Sequence, residues 1–342
     1  MNTDSICLAA DEIRKLAVRA FTRAGVGDGD AHETVDILMT GEMMGIPTHG
    51  VIRVPEYIRR IGLGGINVAP HIRVDRRAPA LAVVDADNAL GPVAGMRGLR
   101  AALEMAQETG IAYAGIAESN HFGPLAPYAL QACARRMALI VGSNATTTMP
   151  PWGGAEARIG NNPLCIALPN PDGAHFILDM AMSVAARGKI RRALREGTTI
   201  PEGWAVTRDG GPTTDPAEAL EGFLLPMGGH KGSGLSQAVD LLAGLLPGGA
   251  FLTGISSWME NPGAPQRIGH FFIAVDAARL HGPGYDGAVR EFLQLITSTP
   301  PADPAQPVLY PGQREQQLLA AALRDGVSLP AALLAEITQL SQ

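Results

Sequence analysis

The sequence predicts an α/β fold in which helical segments stand at both ends of the chain. From about residue 72, short apolar runs alternate with longer amphipathic stretches, and this alternation is typical of helices layered on a sheet. The first sixty residues and the segment after residue 282 have the spacing of helices instead. We therefore predict a helical domain built from residues 1–71 and 283–342, and a sheet domain of residues 72–282.

Three helices are predicted in the N-terminal segment. Asp30 and Glu33 have the spacing of a capping box and predict the start of the second helix. The stretch VIRVPEYIRRI predicts the third, with Pro55 in its first turn, where proline is tolerated. The first helix is predicted by apolar residues that share one face: Ile13, Leu16, Ala17, Ala20 and Phe21.

The middle of the chain predicts strands connected by helices. The helical stretches include GMRGLRAALEMAQETG, LAPYALQACARRM and GSGLSQAVDLLAGLL, and a later one begins at YDGAVREFLQLITS. The strand predictions are short apolar runs: ALAVVDAD, IAYAGIAES, ALIVGSNA, PLCIALP, FILDMAM and GHFFIAVD.

Composition excludes several classes of protein. A net charge of −6 means that the chain has no excess of basic residues for binding nucleic acid. No apolar run reaches the length of a membrane span. Cys7, Cys133 and Cys165 form no CxxC pair, and the N-terminus does not look like a signal peptide. We expect reduced thiols, a cytoplasmic location, and neither a nucleic-acid nor a membrane partner. No metal site is expected either, since an HExxH motif and a cysteine cluster are both missing.

Two histidines in glycine-punctuated loops are candidates for proton transfer. His49 lies in GIPTHGVIR and His121 in AESNHFGP. Histidine suits this role because its ordinary pKa is near neutrality. The alternative, that each caps a helix or satisfies a buried backbone group, stays open at this point.

Arg53 follows His49 by four residues and would share its face of a helix that began near Gly50. A guanidinium can donate two parallel hydrogen bonds to a substrate carboxylate, although a solvated helix-face arginine has the same spacing. Tyr57, one turn further, would line the same surface or pack in the core.

A third stretch, PMGGHKGSGLS, has the composition of an anion-binding loop. Backbone N–H groups at a helix N-terminus bind phosphates, and Lys231 adds a positive charge. The spacing fits neither the Walker loop nor the Rossmann fingerprint. A loop that needs its glycines only for tight packing is the alternative, and a serine hydrolase is not indicated because GxSxG is missing.

Together these stretches resemble the malate/lactate dehydrogenase-type oxidoreductases, which include ureidoglycolate, sulfolactate and Δ1-piperideine-2-carboxylate enzymes. The resemblance implies an NAD- or NADP-dependent enzyme with a non-Rossmann cofactor fold and a mixed, largely antiparallel central sheet. It also implies a homodimer with active sites near the subunit interface. The matching segments run in order: THGVIRVPEYIRRI, SNHFGP, PWGGAEARIGNNPLCIALP, LDMAMSVAARGKI, IPEGWAVTRDGGPTTDP, GGHKGSGL, GHFFIAVD and YPGQ.

The resemblance also implies roles for single residues. His121 matches the proton acceptor, His49 the substrate-side histidine and Arg53 the carboxylate-binding arginine, while Thr48 replaces a common serine. Asp179 would orient a histidine or contact the cofactor. The implied cofactor contacts are Asp179, Met180, Ala181, Lys231, Gly232, Gly312, Gln313 and, through its backbone, Ala145, with Arg314 and Glu315 less secure.

The implied reaction is hydride transfer between nicotinamide and C2 of a small 2-hydroxy or 2-oxo acid. The alternative within the family is reduction of a cyclic imine, Δ1-piperideine- or Δ1-pyrroline-2-carboxylate. An alternative of another class is an inactive dinucleotide-binding protein. Ser233 follows the KG pair where many relatives have an aromatic residue, which leaves the choice between NAD and NADP open.

Overall fold

The computed structural model describes residues 5–342, which fold around a central sheet. The helices are α1 (Ala10–Arg23), α2 (Asp28–Met43), α3 (Arg53–Gly62), α4 (Gly91–Thr109), α5 (Ala126–Ala134), α6 (Arg187–Glu196), α7 (Pro216–Glu221), α8 (His230–Asp240), α9 (Ala277–His281), α10 (Tyr285–Thr297), α11 (Gln313–Asp325) and α12 (Ala331–Leu340). Helix α8 continues into a π-helical turn at Leu241–Leu245, and Pro47–His49 and Leu252–Gly254 are 3₁₀ turns.

The strands are β1 (Ser5–Leu8), β2 (Arg73–Ala78), β3 (Leu81–Asp85), β4 (Ile111–Ser119), β5 (Met137–Ser143), β6 (Leu164–Leu168), β7 (Phe176–Met180), β8 (Ala205–Val206), β9 (Phe223–Leu224), β10 (Ile268–Asp276) and β11 (Val327–Pro330). The central sheet has seven strands in the order β2-β3-β4-β10-β5-β6-β7. In it, β3 and β4 pair in parallel and the other neighbours are antiparallel. The predicted mixed, largely antiparallel α/β architecture is confirmed.

Strand direction gathers distant parts of the chain at one end of this sheet. Strand β10 is antiparallel to both β4 and β5, so those two strands end where β10 begins. Strand β7 ends at the same place, because Met180 pairs with Leu164 at the start of β6. Three parts of the chain therefore meet there: the loop that carries His121, the loop that carries Ala145, and residues 179–181.

The sheet buries apolar side chains on both faces. Phe272 of β10 belongs to the largest core cluster, with side chains of α4 and α5. Its neighbour Phe271 points to the other face, against Val239 and Ala243 of α8 and the π turn. This alternation is what a strand covered on both sides requires.

The two ends of the chain meet on one side of the molecule. Strands β1 and β11 pair antiparallel, and α1 and α12 share a core cluster with α2 and α3. Helix α10 packs differently, because Tyr285, Val289 and Leu293 lie against Phe176 of the sheet. The division into domains of 1–71 plus 283–342 and 72–282 remains a proposal.

Two local predictions are wrong. Helix α2 begins at Asp28 after Gly27, with no side-chain cap, so Asp30 lies inside the first turn and is not a capping-box residue. Glu33 instead forms an ion pair with Arg100 of α4. In addition, His49 and Arg53 do not share one helix, because the 3₁₀ turn ends at His49 and α3 begins at Arg53.

No helix within residues 5–342 combines the length and the apolar character that crossing a lipid bilayer demands.

Candidate active site

Two neighbouring cavities occupy the end of the sheet where these loops meet. The smaller, of about 200 Å³, is lined by Thr48, His49, Arg53 and His121 together with Ala145. The larger cavity, of about 670 Å³, is lined by residues 179–181 and by Gly312, among others. The cavities are adjacent, because Thr48, His49, Asn161 and Ala186 belong to the lining of both.

His49 stands at the junction of the two cavities. Its Nδ1 lies 2.9 Å from the Thr48 hydroxyl, which fixes the ring and leaves Nε2 for a ligand. Burial and the nearby charge of Arg53 lower the pKa of His49 to about 4. The imidazole is therefore neutral at physiological pH.

His121 lies beside His49, with ring centroids 5.3 Å apart and planes inclined by 30°. Trp258 stacks on His121 at 4.9 Å, and the His121 backbone N–H donates to Gln266 Oε1 at 3.0 Å. Burial comes first, then the repulsion that a protonated His121 would meet from a protonated His49 and from Arg53, and together they hold the pKa of His121 well below its usual range. Both histidines are thus uncharged bases in a common pocket.

Tyr57 contacts both the ring and the backbone of His121. The Tyr57 hydroxyl lies 2.6 Å from His121 Nδ1 and 3.0 Å from the His121 carbonyl oxygen. A hydroxyl has one hydrogen, and if it satisfies the carbonyl, Nδ1–H must donate to the tyrosine oxygen. His121 Nε2 then carries a free lone pair, as a proton acceptor requires.

Arg53 is fixed at the wall of the smaller cavity. Its Nε donates to the Thr48 carbonyl oxygen at 2.8 Å, and Nη1 pairs with Glu56. The guanidinium carbon lies 5.1 Å above the Trp258 ring. The remaining N–H groups of Arg53 are available for an anionic ligand.

A buried arginine holds the loop that carries Trp258. Arg60 is 1% exposed, and its guanidinium donates to the carbonyl oxygens of Pro262 and Ala264 and to Gln266 Oε1. Because Gln266 also accepts from the His121 backbone, Arg60 links the loop, the histidine and α3 in one network.

Close backbone packing behind His121 requires a glycine at position 91. A Cβ on Gly91 would clash with the carbonyl oxygens of His121 and Asn120. Gly91→Ala is expected to lower the free energy of unfolding by about 1–3 kcal/mol through overpacking and to reduce turnover, because the His121 carbonyl is a partner of Tyr57. Gly29→Ala is the matched control, since Gly29 also lies in a first helical turn with open space around it. Urea denaturation of both variants measures the difference, and equal stabilities would contradict the prediction.

The larger cavity contains charged groups of both signs. Lys189 and Arg314 line it together with Asp179 and Glu315. Asp179 Oδ2 accepts from the backbone N–H groups of Leu125 at 3.0 Å and Ala126 at 2.8 Å. Burial raises the pKa of Asp179 to about 6, against the opposing effect of those two hydrogen bonds.

Asp179 therefore holds the N-terminus of α5. No hydrogen bond between Asp179 and a histidine is found in the part of the chain that the structure describes, and its role as an orienting or cofactor-contacting residue stays a prediction.

The remaining predicted cofactor residues do not all line the same cavity. Met180, Ala181 and Gly312 line the larger cavity, and Gln313 follows Gly312 but accepts a hydrogen bond from the Tyr310 backbone. Ala145 lines the smaller cavity, with its N–H bonded to Asn162.

Lys231 and Gly232 lie at the start of α8 and line neither cavity. Lys231 is exposed and Gly232 is buried. Within this chain, the GGHKGSG loop is thus separate from the cavities that hold the other candidates.

Several residues at the site were not singled out from the sequence. Trp258 lies in an irregular loop without periodic signal, and Gln266 is an ordinary polar residue. Arg187, Lys189 and Arg191 belong to the basic run ARGKIRRALR, which reads as a solvated helix face. Among the described residues, no group of three or more His, Cys, Asp or Glu side chains could hold a metal ion.

Known proteins share this fold and sequence over nearly the whole chain. The family model for malate/L-lactate dehydrogenase matches residues 8–338. L-sulfolactate dehydrogenase of Methanocaldococcus jannaschii is 37% identical over 311 residues, covering 91% of this chain and 89% of that relative. Δ1-pyrroline-2-carboxylate reductase of Ancylobacter novellus is 34% identical over 338 residues, covering 98% of each chain.

The solved structure of the Methanocaldococcus jannaschii sulfolactate dehydrogenase superposes with a TM-score of 0.91 at 35% identity, covering 98% of this chain and 96% of that one. The protein is an oxidoreductase that acts on a CH–OH or C=N group. It belongs to the malate/L-lactate dehydrogenase family. The predicted family and enzyme class are confirmed.

Proposed function

We propose that this chain transfers a hydride between a nicotinamide dinucleotide, NAD or NADP, and C2 of a small 2-hydroxy or 2-oxo acid. The observation that carries the proposal is the convergence of His49, His121 and Arg53 on one small cavity. Beside it, with His49 in the lining of both, lies the larger cavity of about 670 Å³, which we propose as the cofactor space. A proton acceptor, a carboxylate-binding cation and a cofactor space are what this reaction needs.

The larger cavity fits a dinucleotide in its chemistry. Lys189 and Arg314 can pair with the negative diphosphate, and the carboxyl groups of Asp179 and Glu315 can accept hydrogen bonds from ribose hydroxyls. The nicotinamide would supply hydride acceptance in oxidation and hydride donation in reduction. Because these residues lie at the end of a mixed sheet without the G-x-G-x-x-G turn, the binding mode we propose is non-Rossmann.

In oxidation, the substrate hydroxyl proton passes to His121 Nε2 as C2 loses its hydride and the C2–O bond becomes a carbonyl. His49, held by Thr48, donates to or accepts from the same oxygen. Arg53 binds the C1 carboxylate and so fixes C2 in the reactive orientation. Trp258 stacks on the His121 ring and limits its movement.

Tyr57→Phe tests the tautomer of His121. Loss of the hydroxyl leaves the buried Nδ1–H of the reactive tautomer without its partner, a cost of about 1–3 kcal/mol or roughly 10- to 10²-fold in kcat. The substrate KM should change little, because Arg53 is intact. Tyr285→Phe is the control, since that hydroxyl donates to the Pro169 carbonyl far from the cavities. Steady-state kinetics of oxidation measure kcat and KM for both variants. A kcat for Tyr57→Phe equal to that of the control would refute the role of Tyr57.

The proposed function is tested by following reduced nicotinamide with NADH and NADPH against pyruvate, oxaloacetate and Δ1-piperideine-2-carboxylate. Turnover of a 2-oxo acid supports the first proposal. Exclusive turnover of the cyclic imine supports the second candidate, which the named Ancylobacter novellus relative favours. Dinucleotide binding without turnover of any compound would support the inactive binder, for which a histidine pair beside an arginine has no purpose.

We also propose a homodimer in a reducing, cytoplasm-like compartment. An exposed apolar strip at the end of α8 supports the dimer: Leu235, Leu241, Leu245, Leu246 and Phe251. The proposal of a reducing compartment is supported by three cysteines that form no disulfide, Cys7, Cys133 and Cys165. Light scattering on the purified protein tests the dimer directly.

A further inference from the structure

Gln266 is a buried, neutral side chain at the smaller cavity. It is 2% exposed and lies shortly before β10, where its backbone carbonyl accepts from the Ser256 N–H at 3.0 Å. The residue belongs to the cavity lining together with His121 and Arg53. A buried carboxamide needs a donor for its oxygen and acceptors for its two N–H groups, so each end of the Gln266 side chain must be accounted for.

The orientation of the Gln266 carboxamide is fixed by its neighbours. Oε1 accepts from Arg60 Nη1 and from the His121 backbone N–H, both at 3.0 Å. A guanidinium and a backbone N–H can only donate, so the amide oxygen, and not the nitrogen, must be the atom that faces them. Nε2 is therefore the end of the carboxamide that is left for another partner.

Nε2 of Gln266 is a donor that the protein itself does not use. It donates to no other residue within residues 5–342, and it is not among the unpaired polar atoms of that range that are sealed from solvent. An atom of a buried residue that is neither paired nor sealed borders the cavity that the residue lines. Its N–H groups are thus open to a ligand in the smaller cavity.

The position of this donor beside His121 selects its acceptor on the substrate. The carboxamide is held on the backbone of His121, the residue that exchanges a proton with the C2 oxygen, whereas the C1 carboxylate is taken by Arg53. The C2 oxygen becomes negatively charged as hydride reaches C2. A fixed N–H dipole in a buried site stabilises such developing charge strongly, and an amide keeps its N–H whichever way the His121 proton has moved.

We propose that Gln266 is a catalytic residue whose Nε2–H donates a hydrogen bond to the C2 oxygen of the substrate. In reduction, C2 gains the hydride of the reduced dinucleotide, the π electron pair of the carbonyl moves to the oxygen, and the oxygen takes its proton from His121 Nε2. The Gln266 N–H is not transferred and stabilises the oxygen throughout. In oxidation, the same N–H stabilises the oxygen as its proton passes to His121. This inference rests on the proposed function and adds a further residue to it.

Gln266→Glu removes the donor and keeps the internal contacts. The carboxylate can accept from Arg60 and from the His121 N–H as the amide does, but it has no N–H for the substrate. With the 2-oxo acid that the wild type reduces fastest, kcat should fall by about 10²- to 10³-fold, the usual effect of removing one donor of this kind. Dinucleotide affinity should stay unchanged, because Gln266 does not line the larger cavity. Gln131→Glu is the control, since Gln131 is exposed and lines neither cavity.

Gln266→Met separates loss of the donor from the added charge. Methionine has a similar length, no charge and no N–H, so kcat should again fall, and by more than KM rises. Infrared difference spectra of both variants, bound to oxidised dinucleotide and the 2-oxo acid with a heavy-carbon label at C2, report on the hydrogen bond itself. The C2 carbonyl stretch should lie below that of the free acid in the wild type and shift less in the variants. If Gln266→Met does not fold, Gln266→Glu decides.

Two results would overturn the role of Gln266 and leave the proposed function standing. One is a kcat for Gln266→Glu equal to that of Gln131→Glu, and the other is a C2 carbonyl band at the same frequency in the wild type and the variants. Wild-type reduction of the cyclic imine alone would also overturn it, because the nitrogen of a protonated imine has no lone pair to accept a hydrogen bond. Turnover of no 2-oxo acid and no imine by the wild type would overturn both proposals.

Discussion

His121→Asn is expected to lower kcat for oxidation by about 10²- to 10⁴-fold, the usual contribution of a positioned general base. Asparagine keeps a polar group near the position of Nδ1, but it does not reach the position of Nε2 and cannot take up the proton. Dinucleotide affinity should be unchanged, because the larger cavity does not include His121. Steady-state kinetics with the preferred hydroxy acid and a fluorescence titration of the cofactor measure the two quantities. His71→Asn is the control, since His71 is exposed.

His49→Asn separates the two histidines. We expect a smaller loss of kcat than in His121→Asn, because His49 assists at the reacting oxygen and does not hold the proton. If His121→Asn keeps wild-type turnover while His49→Asn abolishes it, the base is His49.

The direction of the His121 pKa shift predicts the shape of the pH profile. The neutral base is required for oxidation, and burial holds the pKa of His121 well below 6.5. The rate of oxidation should therefore stay level as pH falls through 6.5 and decline only at lower pH. Reduction needs the protonated ring, so its rate should rise as pH falls.

Arg53→Lys is expected to lower kcat/KM for the acid substrate by about 10²-fold. Lysine keeps the charge but loses the planar pair of donors that orients a carboxylate, and it loses the hydrogen bond to the Thr48 carbonyl. The loss should appear in both KM and kcat, since Arg53 binds the substrate and positions C2. Arg59→Lys, on the exposed side of α3, is the control. An Arg53→Lys enzyme with wild-type kcat/KM would remove the carboxylate-binding role.

Local periodicity was sufficient to predict most elements of the central sheet. Strands β4, β5 and β10 are apolar runs that alternate between two covered faces, and such runs are readable from the sequence. Strand β2 was missed because its residues RVDRRA are nearly all exposed and charged. Strands β1 and β11 were missed because each has four residues and forms only by pairing with the other end of the chain.

The site was predictable only in part, for a physical reason. Motif resemblance pointed to His49, Arg53 and His121, although the argument from one shared helix was wrong. The loop with Trp258 is held by hydrogen bonds from Arg60 to Pro262, 202 residues away, and no local pattern encodes such a contact. Arg187 and Arg191 look like solvated helix-face charges until the fold places α6 against Thr48.

The central claim is hydride transfer beside the two histidines and Arg53. The most direct measurement uses dinucleotide deuterated at C4 of the nicotinamide ring and the 2-oxo acid that is turned over fastest, with mass spectrometry of the product. We predict one deuterium at C2 of the hydroxy acid, with the yield collapsing in His121→Asn but not in His71→Asn. Product without deuterium from either face of the ring, or undiminished transfer in His121→Asn, would contradict the account.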